Sequence, residues 1–269
     1  MNKPSEITHI VVAVDESEVA RSAVWAALQV AYHAHARVTV LRVLPFADQG
    51  ESAALKHLQR WVEADLPALD RMRPIGYAVV QGLPGVEIGR FAEHAHADLL
   101  VLGRKHRSRA TRLLLGDTAD AVARRSRIPC LFVPGHSRDL GHLLVAVDGS
   151  ERGMAVLRGA HRLAKPLGAK LDVLTVEPAR ADEPVALALA TPLARSRRIR
   201  SEVHHAVGHD IEVRRGAVTE EILAAADERD PDVLVLGCHR GGPAGVIEAG
   251  SIAREVLHRA ACAVLTIPL

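Results

Sequence analysis

The 269-residue sequence is poor in aromatic residues and in cysteine. Phe, Trp and Tyr together make up 3% of the chain, and small aliphatic residues supply most of its apolar 48%. Such a composition favours a buried parallel sheet that is covered by closely packed helices. The three cysteines are an odd number and have no CxxC spacing. This argues against a disulfide framework and indicates a reducing, cytoplasmic environment.

Long apolar runs and an excess of one charge are also missing. No run approaches the ~18 apolar residues that a membrane helix needs. The stretch MNKPSEITHIVVAVD has no charged-then-apolar leader, so we expect neither a membrane segment nor a signal peptide. Lys plus Arg number 34 and Asp plus Glu number 32, a net charge of +2. This balance gives no reason to expect nucleic acid or a membrane as a partner.

Motifs of common catalytic and metal sites are absent. There is no GxSxG, no Walker A lysine, and no GxGxxG after a first strand. The fifteen histidines form no HExxH or Cys/His ligand pattern, so we expect surface histidines and no metal site. We expect Cys130 and Cys262 in the core. Cys238 is predicted to lie in a loop, where a redox role stays open.

The chain contains an internal repeat. Residues 9–18 (HIVVAVDESE) and 142–151 (HLLVAVDGSE) are identical at seven of ten positions. DLLVLG and DVLVLG, which begin at residues 98 and 232, lie 134 residues apart, as do LFVP and LTIP near the end of each copy. We therefore predict two domains, residues 1–135 and residues 140–269, joined by a polar linker.

Apolar strands alternate with helical patterns in each copy. In the first copy the pattern predicts helices over residues 18–35, 50–71, 84–97 and 115–127. This order predicts an α/β fold with two tandem, doubly wound, five-stranded parallel sheets of the Rossmann type. Ligands of such sheets bind beyond the carboxyl ends of the strands.

Aspartate and glycine residues are expected at this carboxyl edge. Helix N-termini attract anions there, Gly250 would let the backbone approach a phosphate, and the Ser251 hydroxyl could donate to it. The other reading is structural, with Asp capping a helix and Gly making a tight turn. The first strands end in Asp15 and Asp148. The fourth strands end in Gly103 and Gly237, and the fourth helices are preceded by Gly116 and Gly250.

These motifs resemble a known family. VAVDGSE after a strand, the DVLVLG strand and a G-x2-G-x9-G-[ST] loop occur in this order in universal stress protein domains, the UspA family, and each copy resembles such a domain. The resemblance implies an adenine nucleotide α-hydrolase-like fold and an ATP-binding loop. It also implies pairing of the two last strands into an intramolecular pseudo-dimer, and it leaves a further homodimer open.

Both loops depart from the family pattern. The second copy keeps Gly237, Gly250 and Ser251, but Arg240 stands at the middle glycine position. In the first copy His106 replaces the middle glycine. Asp117 replaces the hydroxyl residue and would repel a phosphate at close range. We therefore expect the first copy to have lost or altered its site, unless Thr118 supplies the missing hydroxyl. We therefore predict that the second copy holds the main nucleotide site.

The resemblance also assigns site residues. In the second copy, Asp148 and the backbone of Val176 would hold the adenine side, Leu236, Gly237 and Arg240 would line the ribose and first phosphates, and Gly250, Ser251, Ile252 and Ala253 would hold the remaining phosphates. The matching positions of the first copy are Asp15, Val43, Gly103, His106, Gly116, Asp117 and Thr118.

Three functions follow from the resemblance. The first is a stress-response regulator or protective protein that binds ATP or another adenine nucleotide, with or without magnesium, and acts on unknown protein clients. The second is a nucleotide-free interaction scaffold in which both loops have decayed. The third is a slow ATPase or an enzyme that uses ATP, against which the lack of an added substrate domain counts.

Overall fold

The computed structural model describes residues 6–45, 50–65, 75–104, 117–135, 139–148, 150–178, 211–238 and 252–269. In these ranges the chain forms ten strands and seven helices. The first repeat contains β1 (His9–Val14), α1 (Glu18–Ala34), β2 (Arg37–Leu44), α2 (Glu51–Asp65), β3 (Ile75–Gln81), α3 (Pro84–His94), β4 (Leu99–Arg104), α4 (Asp117–Arg125) and β5 (Cys130–Pro134). The second contains β6 (His142–Ala146), α5 (Glu151–Leu167), β7 (Lys170–Pro178), β8 (Ile211–Gly216), α6 (Val218–Arg229), β9 (Val233–Cys238), α7 (Ile252–Arg259) and β10 (Ala263–Pro268).

All ten strands belong to one sheet, in the order β3-β2-β1-β4-β5-β10-β9-β6-β7-β8. Every neighbouring pair is parallel except β5 and β10, which are antiparallel. In each repeat the first strand lies between the second and the fourth. The strand order therefore reverses beside β1 and again beside β6. This confirms the predicted α/β fold with two doubly wound halves.

The two halves join through their last strands. Leu131 of β5 faces Leu265 of β10, with Phe132 opposite Val264 and Cys130 opposite Thr266. Leu131 and Leu265 are equivalent residues of the two repeats, so the contact lies on an approximate twofold axis. The predicted pairing of the final strands is confirmed, and it makes the chain an intramolecular pseudo-dimer.

The core lies on both faces of the sheet. In β1, Ile10 and Val12 pack in the layer formed with α1, α2 and α5, and Val11 packs in the layer formed with α3, α4, α6 and α7. All three side chains are fully buried. Burial on both faces explains why these strands are continuous apolar runs rather than alternating ones.

The repeated Asp-x-Ser-Glu stretch starts the first helix of each repeat. Ser17 precedes α1, and its Oγ accepts a hydrogen bond from the Ala20 amide at 3.3 Å. Ser150 does the same for α5, accepting from the Gly153 amide at 3.1 Å. These serines satisfy amides that have no partner within their helix.

Four sequence-based expectations need correction. Helix α1 ends at Ala34 and α3 ends at His94, because His35 and His96 adopt left-handed backbone angles, with φ of 56° and 50°. Helix α4 ends at Arg125, two residues before the predicted end. Cys238 lies in β9 and is buried, not in a loop, and burial raises the pKa of its thiol.

The end predicted at residue 71 for α2 lies outside the described residues. Among the described residues, no helix is both long and apolar enough to cross a membrane.

Candidate functional site

A cavity lies at the carboxyl ends of β1, β2 and β4, where the strand order of the first repeat reverses. Its volume is about 370 Å³. Apolar side chains, among them Ala13, Leu41 and Leu102, form its inner wall, and Asp15, Arg42 and Thr118 add polar groups. Apolar walls with a few polar groups are typical of small-molecule sites, and the switch point of a doubly wound sheet is where such ligands bind.

Four residues predicted from the sequence meet at this cavity. Asp15 follows β1, Val43 lies near the end of β2, Gly103 lies in β4, and Thr118 lies in the first turn of α4. They come from four separate elements, and the parallel sheet brings those elements to one edge. Their shared location makes this cavity the candidate site of the first repeat.

Asp15 also has a structural task. Its Oδ1 accepts hydrogen bonds from the Ser17 amide at 3.2 Å and from Ser17 Oγ at 2.5 Å. In the second repeat, Asp148 Oδ1 accepts from the Ser150 amide and hydroxyl at 3.0 and 2.6 Å. The aspartate therefore orients the capping serine in both repeats.

Gly103 is required by the packing of α1 on β4. A Cβ atom at this position would lie 2.9 Å from both the carbonyl carbon and the carbonyl oxygen of Val19. The missing side chain lets the first turn of α1 approach the strand beside the cavity. At Gly237, the equivalent residue, a Cβ would instead meet the side chains of Leu269 and Val156, at 2.6 and 2.8 Å.

Helix α4 begins at the cavity. Thr118 and Ala119, in its first turn, both line the cavity. The first amides of a helix lack partners within it and carry a partial positive charge, so this end favours an anion. Asp117 is the first residue of α4.

Arg42 lines the cavity and belongs to a cluster of three charged or titratable residues that the sequence had not singled out. Arg42 Nη1 donates to Glu16 Oε1, and His57 Nδ1 of α2 lies 3.0 Å from the same oxygen. Glu16 has a φ of 59°, which is uncommon for a residue with a side chain. The second repeat has Gly149 and Thr175 in place of Glu16 and Arg42. This difference between the repeats is the sequence signal that could have revealed the cluster.

The second repeat places its candidates at the matching edge. Asp148 is exposed after β6, Val176 is half-buried in β7, and Leu236 and Gly237 lie in β9. Ile252 and Ala253 begin α7, the first exposed and the second buried. The predicted residues His106, Gly116, Arg240, Gly250 and Ser251 lie outside the described residues.

A sequence model of the universal stress protein family matches residues 6–134 and residues 140–268. The chain belongs to the universal stress protein family. The two matches cover nearly the whole sequence, and they agree with the two halves of the sheet.

Individual relatives share less than a third of their aligned residues with this chain. A universal stress protein of Methanocaldococcus jannaschii is 29% identical over 138 residues, which are 46% of this chain and 80% of that protein. The solved structure of a universal stress protein from Archaeoglobus fulgidus superposes with a TM-score of 0.70 at 19% identity, covering 98% of this chain and 99% of that chain. The structure of a functionally unknown protein from Pseudomonas aeruginosa superposes with a TM-score of 0.73 at 19% identity, covering 97% of this chain and 92% of that chain. These two structural likenesses show the tandem fold.

Proposed function

We propose that this universal stress protein binds an adenine nucleotide at the carboxyl edge of its sheet, and that occupancy changes which client proteins it contacts in a stress response. The cavity of about 370 Å³ that joins Asp15, Val43, Gly103 and Thr118 carries the proposal. In this proposal the residues of the chain form the binding surface, and the bound nucleotide distinguishes an occupied state of the protein from an empty one.

The cavity suits the chemistry of such a ligand. Leu41, Leu102 and Ala13 offer an apolar surface for a base, and the Asp15 carboxylate can accept a hydrogen bond from an exocyclic amino group. The first turn of α4 offers partial positive charge to phosphate groups, and Arg42, whose guanidinium also binds Glu16, lines the same cavity. The described residues thus provide complementary groups for both ends of a nucleotide.

The second repeat is a further candidate for the same ligand. Its edge presents Asp148, Val176 and Gly237, and the sequence supplies Ser251 where the first repeat has Asp117. A hydroxyl donates to a phosphate, whereas a carboxylate repels it. We therefore propose tighter triphosphate binding in the second repeat and a preference for fewer phosphates in the first.

A matched pair of variants tests the two sites. Thr118→Asp and Ile252→Asp place a new carboxylate at equivalent positions of α4 and α7. A negative charge in the first turn stabilises a helix, so both variants should fold. The same charge repels a bound triphosphate by a few kcal/mol at an effective dielectric constant of ~20. Calorimetric titration with ATP and magnesium measures the number of sites and the affinity of each.

We expect the wild-type protein to bind ATP and each variant to lose binding at its own site alone. Loss of all binding in Ile252→Asp would assign the nucleotide to the second repeat. Binding that neither variant weakens would exclude the carboxyl edge. If the wild-type protein binds neither ATP nor AMP, the nucleotide-free scaffold is the better description. Phosphate release from the same samples tests slow hydrolysis.

A further inference from the structure

Arg104 connects the cavity of the first repeat to a helix of the second. It ends β4 and directly follows Gly103, which lines the cavity. Its side chain leaves its own repeat and is buried, with 2% of the residue exposed. It reaches the last turn of α7 and the residues that directly follow this helix.

The contact has the chemistry of a helix C-terminus. Arg104 Nη1 donates to the Leu257 carbonyl at 3.0 Å, and Nη2 donates to the carbonyls of Ala260 and Cys262 at 2.8 and 2.7 Å. Carbonyls in the last turn of a helix lack partners within it and carry partial negative charge, which a guanidinium satisfies. Burial lowers the pKa of Arg104 to about 10, so the side chain stays charged at neutral pH.

The approximate twofold axis does not repeat this contact. Cys238 is the equivalent of Arg104, and its Sγ lies 3.7 Å from the Ala123 carbonyl at the end of α4. A cavity of about 10 Å³ remains there, bordered by Ser126 and Thr266 among others. A thiol is a weak donor with a single hydrogen, so β9 has a much weaker hold on α4 than β4 has on α7.

Helix α7 carries the connection to the second candidate edge. Its eight residues begin with Ile252 and Ala253, and its last turn is held by Arg104. A helix of this length spans about 12 Å, and its backbone hydrogen bonds link its two ends. A change in mobility at the end of β4 can therefore reach the start of α7 through the Arg104 side chain, beside the ion pair of Asp120 in α4 with Arg254 in α7.

We propose that Arg104 is a positioning residue that couples the two repeats, so that a ligand in the first-repeat cavity restricts the motion of α7. This inference rests on the proposed nucleotide binding. The coupling runs through the Arg104 guanidinium and the three carbonyls that it binds. The Cys238 contact is too weak to carry the same coupling between β9 and α4.

Hydrogen exchange of the full chain tests the proposal. The measurement compares the peptides that cover β1–α1 and α7, with and without ATP and magnesium, in the Ile252→Asp background. That background prevents direct protection of α7 by a ligand in its own repeat. We expect slower exchange in both segments, on the order of fivefold in α7. Arg104→Met should weaken the α7 response and keep the β1–α1 response, and Arg104→Lys should restore part of it.

Cys238→Ala serves as the control from the equivalent position, and it should leave the α7 response intact. Protection of β1–α1 without any response in α7 would overturn the coupling while leaving nucleotide binding in place. An unchanged α7 response in Arg104→Met would also overturn it. Absence of protection in both segments would overturn the coupling together with the nucleotide site of the first repeat.

Discussion

Arg104 and Cys238 stand at equivalent ends of β4 and β9, 134 residues apart, and they join the two repeats unequally. Arg104 donates three hydrogen bonds to carbonyls at the end of α7, whereas Cys238 makes one weak contact with the end of α4. The backbone therefore follows the approximate twofold axis, and the side chains break it. Loss of the Arg104 contact should therefore lower the free energy of unfolding more than loss of the Cys238 contact.

Arg104→Met should destabilise the protein by about 3 kcal/mol, because three carbonyls at a buried helix end lose a charged donor. Cys238→Ala removes only a small buried side chain beside an existing cavity and should cost about 1 kcal/mol. Urea denaturation followed by circular dichroism measures both free energies of unfolding. Equal costs for the two variants would show that the Arg104 contact contributes nothing beyond packing.

Gly103→Ala should lower both stability and nucleotide affinity. The new Cβ would lie 2.9 Å from the Val19 carbonyl, so the first turn of α1 must move away from β4. Overpacking of this kind costs about 1–3 kcal/mol, and the movement displaces Asp15 and Ser17 at the cavity. Thermal denaturation and calorimetric titration measure the two effects.

Gly89→Ala is the matched control within a helix of the same repeat. Nothing lies within 4 Å of a Cβ at Gly89, so this substitution should stabilise α3 by about 0.5–1 kcal/mol through the gain in helix propensity. It should leave nucleotide affinity unchanged. A loss of affinity in Gly89→Ala equal to that in Gly103→Ala would show that the effect does not come from the cavity.

The sequence alone predicted most of the fold, for a physical reason. Both faces of the sheet are buried, so strands such as β1 and β4 read as unbroken apolar runs, and the repeat marks each of them twice. The pairing of the last strands, β5 and β10, followed from the resemblance to a family whose last strands pair. Helix ends were less predictable, because left-handed residues such as His35 and His96 need no glycine there.

For the candidate site, the sequence predicted which strand ends come together but not the side-chain contacts around them. Strand ends in a parallel sheet share an edge, so Asp15 and Gly103 could be placed together from their positions in the chain. The contact of Glu16 with His57 was not predictable, because it depends on where α2 packs. Nor was the contact of Arg104 with α7, which joins residues 153 positions apart through one side chain.

Acidification should destabilise the protein partly through His9. Burial lowers the pKa of His9 below its ordinary value of 6.5, and nearby Arg37 adds to this, against the opposing effects of the Ala95 carbonyl and Asp98. The unfolded chain therefore binds a proton near pH 6.5 that the folded chain does not. The free energy of unfolding should fall as the pH drops below 6.5 and should be insensitive to this group at higher pH.

Urea denaturation at several pH values between 5 and 8 checks this dependence. His9→Gln removes the titrating ring and should make the pH dependence shallower, although it also loses contacts with Ala95 and Thr39. His33→Gln changes an exposed histidine and serves as the control. A pH dependence that is the same in His9→Gln and in the wild-type protein would contradict the assignment. Part of the dependence should remain in His9→Gln, because burial also lowers the pKa of His258.

The three cysteines should be unreactive in the folded protein. Burial raises the pKa of Cys130 to about 12 and that of Cys262 to about 11, and it also raises the pKa of Cys238. Only a thiolate attacks a disulfide reagent, and at pH 8 the folded thiols are protonated, while Cys130 and Cys238 are also buried. We expect Ellman's reagent to modify the cysteines at the rate of unfolding. All three should react in guanidinium chloride, and two in Cys238→Ala. Rapid modification of one thiol in the folded chain, lost in Cys238→Ala, would instead restore a redox role for Cys238.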